Sequence, residues 1–379
     1  MPEISRVKIE GKKAFLHNGK AKPFEAPYDN DPIETNKALK QILIENLGCS
    51  EPIASQWCAH LADLLVEPSE YEEDQGGKKR CFIHKYSSNI PVIESIVVGG
   101  QPFFIQMKDV GKLDYNLSDE YELTDRILSP RSLHSYPGEY CKYVFESEEE
   151  LRKYLKLASE KTPNGNFDLI FKLVKTIFKQ YVVLDDHHIT LLVADIIYSY
   201  FQDDFATTHY VICAGDNGSG KNSILLTFGW LGYRVFLATS VSGANLYTFQ
   251  GSVEACQGTI AEDELDNLDE DRDKMNIWKS GQAEGTSKIP KTAIDSGKRE
   301  QESYHSYCFK IGASEKSLDN LKAKGVLDRS FEIPCFVGRP KFNIKFVSHK
   351  RNEHLRKELE KTRKFLFACR MLYKGTRGC

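Results

Sequence analysis

Eight residues, Gly215-Asp216-Asn217-Gly218-Ser219-Gly220-Lys221-Asn222, follow the phosphate-binding pattern G-x-x-x-x-G-K-[ST] at every position but the last. An apolar run, Tyr210-Val211-Ile212-Cys213-Ala214, precedes them, and a helix-prone segment, Lys221 to Gly229, begins at their end. In that setting the glycines let backbone N–H groups close around a phosphate while the positive end of the helix faces the same anion. Lys221 would reach the β and γ phosphates, so ATP with Mg²⁺ is the implied ligand, held by residues 215 through 223. Asn222 stands where a hydroxyl usually ligates the metal. An amide oxygen is also a hard ligand and Ser223 is adjacent, so binding should survive the change while hydrolysis is the open question. The bland alternative is a Gly/Ser/Asn turn that imitates the pattern.

A triphosphate-cleaving site also needs carboxylates to hold the metal and to polarise the attacking water. Thr259-Ile260-Ala261-Glu262-Asp263-Glu264 offers them: Asp263 for Mg²⁺ and Glu264 as the base. The run is less apolar than a buried parallel strand usually is, and eight acids crowd residues 261–273, so a solvated acidic loop is the competing reading. Further on, Tyr307 to Ser314 reads as a buried strand. Ser314 at its end is either a γ-phosphate sensor or a turn serine. Arg329, ahead of an alternating strand at Ser330-Phe331-Glu332-Ile333, is either an ion-pair partner of Asp328 or a guanidinium offered to a neighbouring subunit's nucleotide.

These elements need a parallel sheet to position them, and the rest of the chain supplies flanks. With 379 residues, two or three domains are expected. Val7 to Glu10 and Ala14 to His17 read as a hairpin, residues 34–47 and 51–66 as helices, 74–80 as a loop, and Val92–Val98 with Phe103–Met107 as a second hairpin around Gly99-Gly100-Gln101-Pro102. Residues 129–138 suit an extended linker. Ser147 and Glu150 form a capping box before Leu151, Tyr154, Leu155 and Ala158, and two more apolar stripes follow, from Phe167 to Tyr181 and from Ile189 to Tyr200.

The overall balance, 51 Lys+Arg against 54 Asp+Glu, sets up no global basic field, so any nucleic-acid contact must be local. One basic stretch closes the chain: residues 341–379 hold twelve Lys/Arg against three Asp/Glu, on an expected helix from Asn352 to Tyr373. Its apolar side, Leu355, Leu359, Thr362, Phe365, Leu366 and Cys369, could pack as a lid while the cations stay solvated. No 18-residue apolar run and no signal-peptide pattern appear, which gives a cytoplasmic expectation with no membrane partner. Ten cysteines without a C-x-x-C pair read as free thiols. Cys58, His60, Cys81 and His84 could supply zinc ligands only if the helix carrying Cys58 and His60 broke, so buried thiols and ordinary histidines are the preferred account.

In this order, the glycine turn, acidic pair, polar strand end and arginine resemble the ATPase core of AAA+ proteins, superfamily 3 helicases and minichromosome maintenance helicases, over roughly residues 205–335. The segment Gly232-Tyr233-Arg234 through Leu246 looks like one found in replication-associated ATPases of viruses and mobile elements. The resemblance implies an α/β P-loop NTPase fold with a central parallel sheet, preceded by a helical segment and a small α+β domain. The expected boundaries are 1–130, 131–200, 201–340 and 341–379. It also implies assembly into a ring or other oligomer, and DNA as partner through a basic hairpin carrying Lys288, Lys291, Lys298 and Arg299. A solvated loop is the alternative for that segment. For the whole chain, a nucleotide-gated switch that hardly hydrolyses ATP is the main rival, and a small-molecule kinase a third reading.

Overall fold

Short β-strands make up most of the described residues ahead of residue 146. The computed structural model describes residues 78–88, 91–131, 143–162, 167–239, 242–268, 270–295, 298–317 and 324–377, with the backbone of three strands before them. Those three, β1 (Arg6–Glu10), β2 (Lys13–His17) and β3 (Phe24–Pro27), form an antiparallel meander in which Val7 faces Leu16 and Ile9 faces Ala14. The expected helices at 34–47 and 51–66 lie outside the described residues.

Next come β4 (Lys79–Ile83), β5 (Lys85–Tyr86), β6 (Ile93–Val98), β7 (Gln101–Asp109), β8 (Asp114–Ser118), β9 (Tyr121–Glu122), β10 (Arg126–Pro130) and β11 (Val144–Phe145). Gly99 and Gly100 sit at φ +59° and +82° and join β6 to β7 by a two-residue turn, a backbone shape that only glycine takes without strain. Two expectations need correction here. Residues 79 and 80 are strand rather than loop, and Ser129 and Pro130 are strand rather than linker, because β4 pairs in parallel with β10 and the Arg80 guanidinium donates to Ser129 Oγ at 2.8 Å.

Three amphipathic helices follow: α1 (Glu148–Lys161), α2 (Asp168–Tyr181) and α3 (Asp186–Ser199). The Ser147 hydroxyl accepts from the Glu150 N–H at 3.3 Å, and the Glu150 carboxylate reaches back to the Glu146 N–H at 2.7 Å. Their apolar stripes are buried: Leu151, Leu155 and Ala158 on α1, Ile170, Val174 and Phe178 on α2, Leu192, Val193 and Ile196 on α3.

The second half is a five-stranded sheet, every pair parallel, in the order β13-β14-β17-β12-β18. Its strands are β12 (Tyr210–Ala214), β13 (Val235–Thr239), β14 (Thr259–Asp263), β17 (Lys310–Ser314) and β18 (Ser330–Pro334). They alternate with α4 (Lys221–Leu231), α5 (Gly243–Gln250), α6 (Arg272–Ser280) and α7 (Lys324–Leu327), while β15 (Lys288–Asp295) and β16 (Lys298–His305) form a separate antiparallel hairpin. The expected central parallel sheet is therefore present.

A final helix, α8 (Glu353–Arg377), packs against α1, α4 and β7, and one cluster of buried apolar residues runs from β6 and β7 through all these helices to β12 and β17. Leu355, Leu359, Thr362, Phe365, Leu366 and Cys369 are all buried. Two cations of α8, Arg370 and Lys374, depart from the solvated-face expectation, whereas Lys357 and Lys361 are exposed as that expectation has it. Arg370 is fully buried, with Nε 2.7 Å from Glu94 Oε1 and Nη1 2.9 Å from Asp203 Oδ1, and Lys374 reaches Asp204 at 2.7 Å. Arg234, also fully buried, places Nη2 2.8 Å from Glu94 Oε2, and the Tyr233 hydroxyl donates to the same carboxylate at 2.9 Å. Lys85 adds a further bridge, 3.3 Å from both Asp203 and Glu254. Without these partners each ion would be uncompensated in a dry interior, so the contacts lock β5, β6, α8 and the turn after α4 together.

Candidate functional site

In an open parallel sheet ligands gather at the carboxyl ends of the strands, where the order of connection reverses. Here the chain leaves β12 for the far side of the sheet, at β13, and later returns to β12's other flank as β18. At that end, β12 passes through residues 215–220 directly into α4, a strand-to-helix turn. Gly218 and Gly220 have φ of +81° and +94°. Gly215 is needed for a different reason: a Cβ there would lie 2.4 Å from the Cys335 carbonyl oxygen and 2.9 Å from Ser219 Oγ.

Lys221 is the first residue of α4, where the leading N–H groups have no acceptor within the helix and the dipole is positive. Its ammonium is folded onto the turn's own carbonyls, Gly215 O and, at 3.1 Å, Asp216 O. An incoming anion would have to draw it off these weaker partners.

Across from the turn, Asp263 closes β14 and is half-buried, and Glu264 follows it at φ +67°, exposed, with its backbone turned out of the strand. Both line a cavity of about 750 Å³ that is also lined by Asn217, Lys221, Asn222 and Ser314. Of the nucleotide and metal candidates, Asn217, Lys221, Asn222 and Asp263 thus share one cavity wall with Glu264 and Ser314. Gly215, Asp216, Gly218, Ser219 and Gly220 shape the turn behind it, and Ser223 is half-buried one residue further into α4.

Ser314 is buried at the end of β17, the strand between β12 and β14, and its hydroxyl donates to Asp266 Oδ1 at 3.0 Å. Asp266 also accepts from the Glu315 and Lys316 N–H groups, each at 3.0 Å, so it pins the end of β17.

Sequence reasoning missed Asp266 and three more residues. Glu262 is fully buried, accepts from the Trp278 indole N–H at 3.2 Å and pairs with Lys274, whose side chain reaches the cavity wall; burial pushes its pKa up against the pull of that ammonium. Asp271 caps α6 by accepting from the Asp273 and Lys274 N–H groups, both at 3.0 Å. Burial opposes its charge, but the amide donors outweigh burial and hold its pKa below the usual range. The available signal was Asp271 itself, an N-cap residue type ahead of the apolar residues Met275 and Trp278.

Arg329 is not brought to this cavity. It precedes β18, which runs parallel to β12, so it lies at the opposite edge of the sheet, with its guanidinium on the Lys279 carbonyl. Of the hairpin cations, Lys288 is exposed on β15, whereas Lys291 is 2.7 Å from Asp273 and lies over the Tyr247 ring at 4.6 Å. Lys298 and Arg299 belong to β16, but their side chains lie outside the described residues. Cys58 and His60 are also outside them, while Cys81 and His84 are buried. Among the described residues no helix is long and apolar enough to cross a membrane.

No protein-family model matches the chain, and no curated protein matches it. Among solved structures it is similar to the apo C-terminal region of NrS-1 in its A form, at 12% identity and a TM-score of 0.34, over 73% of this chain and 66% of that one. A JCV helicase with an acetamide compound bound is similar at 11% identity and a TM-score of 0.29, over 61% of this chain and 68% of that one. The chain thus spans about two thirds of the length of these structures, and overlaps of this size leave the functional reading to rest on the cavity itself.

Proposed function

We propose that this chain binds and hydrolyses Mg·ATP and works on DNA as a motor of the AAA+ or superfamily 3 helicase type. One observation carries the reading: a glycine turn at a helix start, two carboxylates and a polar strand end converge on one cavity at the carboxyl edge of a parallel sheet. The residues suit the ligand. At Gly218 and Gly220 nothing stands within 4 Å of the point where a Cβ would lie, so a phosphate can approach the turn closely, and the donors at Asn222 and Asp263 are hard oxygens of the kind Mg²⁺ prefers.

When bound, the metal neutralises phosphate charge. Lys221 would hold the β and γ phosphates, Glu264 would take the proton of the water attacking the γ phosphorus as ADP leaves, and Ser314 would orient the γ end. Arg329 can serve only a neighbouring subunit. DNA contact is assigned to the β15–β16 hairpin, with Lys288 foremost.

Replacing Lys221 with Ala is expected to remove ATPase activity and weaken ATP binding, read by phosphate release and by calorimetry. Full activity in the variant would end the assignment. The rival, a nucleotide-gated switch, draws on Asn222 and on the ammonium folded over its own turn. Turnover stimulated by single-stranded DNA supports the motor, and a flat, negligible rate with intact ATP binding supports the switch.

A further inference from the structure

Resting on the ATP reading above, we propose that Phe336, Val337 and Val183 form the subsite that takes the purine base of the bound nucleoside triphosphate. The glycine turn has two unlike flanks. On the β17 and β14 side stand Ser314, Asp263 and Glu264, the groups suited to the terminal phosphate. The nucleoside must therefore leave on the other flank, where β18 lies beside β12.

The chain emerging from β18 passes directly along the turn. The Cys335 N–H donates to the Ala214 carbonyl at 2.7 Å, and the Cys335 carbonyl oxygen lies 2.4 Å from the point where a Gly215 Cβ would stand. The next two residues are Phe336, 69% exposed, and Val337, 81% exposed, the two most exposed large hydrophobic residues among those described. Gly338 then folds onto the loop between α2 and α3 so closely that a Cβ on it would lie 2.8 Å from Val183 Cβ, and Val183 is itself 49% exposed.

Phe336 and Val337 thus stand open to water just past the residue that touches the cradle, and Val183 meets the same stretch at Gly338, on the flank where a base has to go. Folding does not account for them, since none is covered. A purine does: stacking on an aromatic face needs no hydrogen-bond partner and tolerates any base. None of the three side chains carries a donor or acceptor, so the subsite should favour nucleotides over bare polyphosphate while distinguishing ATP from GTP only weakly.

The test is calorimetric binding of ATP, GTP and inorganic tripolyphosphate to the full chain and to its Phe336→Ala, Phe336→Trp and Lys221→Ala variants. Phe336→Ala should weaken ATP and GTP alike by roughly tenfold and leave tripolyphosphate unchanged, with Phe336→Trp restoring affinity. ATP affinity unmoved by Phe336→Ala overturns the subsite alone. So does a change in oligomeric state without a change in affinity, which would make Phe336 a contact between copies. Equal losses for ATP and tripolyphosphate overturn it as well, since the effect would then lie in the cradle. If the unaltered chain binds no tripolyphosphate, or binds it regardless of Lys221→Ala, the ATP reading fails and the subsite with it.

Discussion

Glu94 has no exposed surface, yet it meets two guanidiniums and a phenol. Burial pushes its pKa up, Arg370 and Arg234 pull it down, and the net position is below the ordinary 4.5. Asp203, beside Arg370 and Lys85, is held well below its ordinary value against the same burial penalty. Glu94→Gln removes the negative charge from between two buried arginines and is expected to cost about 3–5 kcal/mol in urea unfolding, the usual penalty for leaving a buried ion unpaired. Because the folded pKa lies below the unfolded one, this carboxylate stabilises fully above the unfolded value and progressively less as pH falls through the folded one. Stability measured against pH should therefore decline below about 4.5 more gently in the variant than in the parent chain. None of this was legible locally: Tyr233-Arg234 could be noticed as a pair, but their partner lies some 140 positions upstream.

At the scale of elements, legibility followed how local the physics was. The turn at 215–220 could be read because glycine, lysine and the flanking apolar run act within a dozen residues. Strand β14 looked doubtful because Glu262 breaks its apolar run, and only the packed structure supplies Lys274 and Trp278 to accept that carboxylate. The first two residues of β4, Lys79 and Arg80, read as loop because Arg80 gains its partners from afar, Ser129 on β10 and Glu120 just before β9. The hairpin yields a graded test. Lys288→Ala should weaken single-stranded DNA binding and lower the salt slope by about 0.7. Lys291→Ala should do less, since its ammonium is already committed to Asp273 and Tyr247. Salt titrations of DNA affinity for the two variants give the comparison, and a larger loss for Lys291 would refute the ranking.

For the whole molecule, the parallel alignment of β12 and β18 separates Arg329 from the cavity by the length of a five-residue strand, about 16 Å. Arg329→Ala should then leave ATP affinity intact and lower turnover by about 10³-fold, the scale of an arginine supplied in trans. Mixing it with Lys221→Ala should recover activity through hybrid interfaces, whereas inert mixtures would confine Arg329 to holding the end of α6. The meeting point of Glu94, Asp203, Arg234 and Arg370 has a consequence for descent. A lineage keeping the cavity at the carboxyl ends of the strands could not discard the leading β layer or the closing helix singly, because either loss strands an ion in oil-like surroundings. The two flanks are therefore inherited as a set.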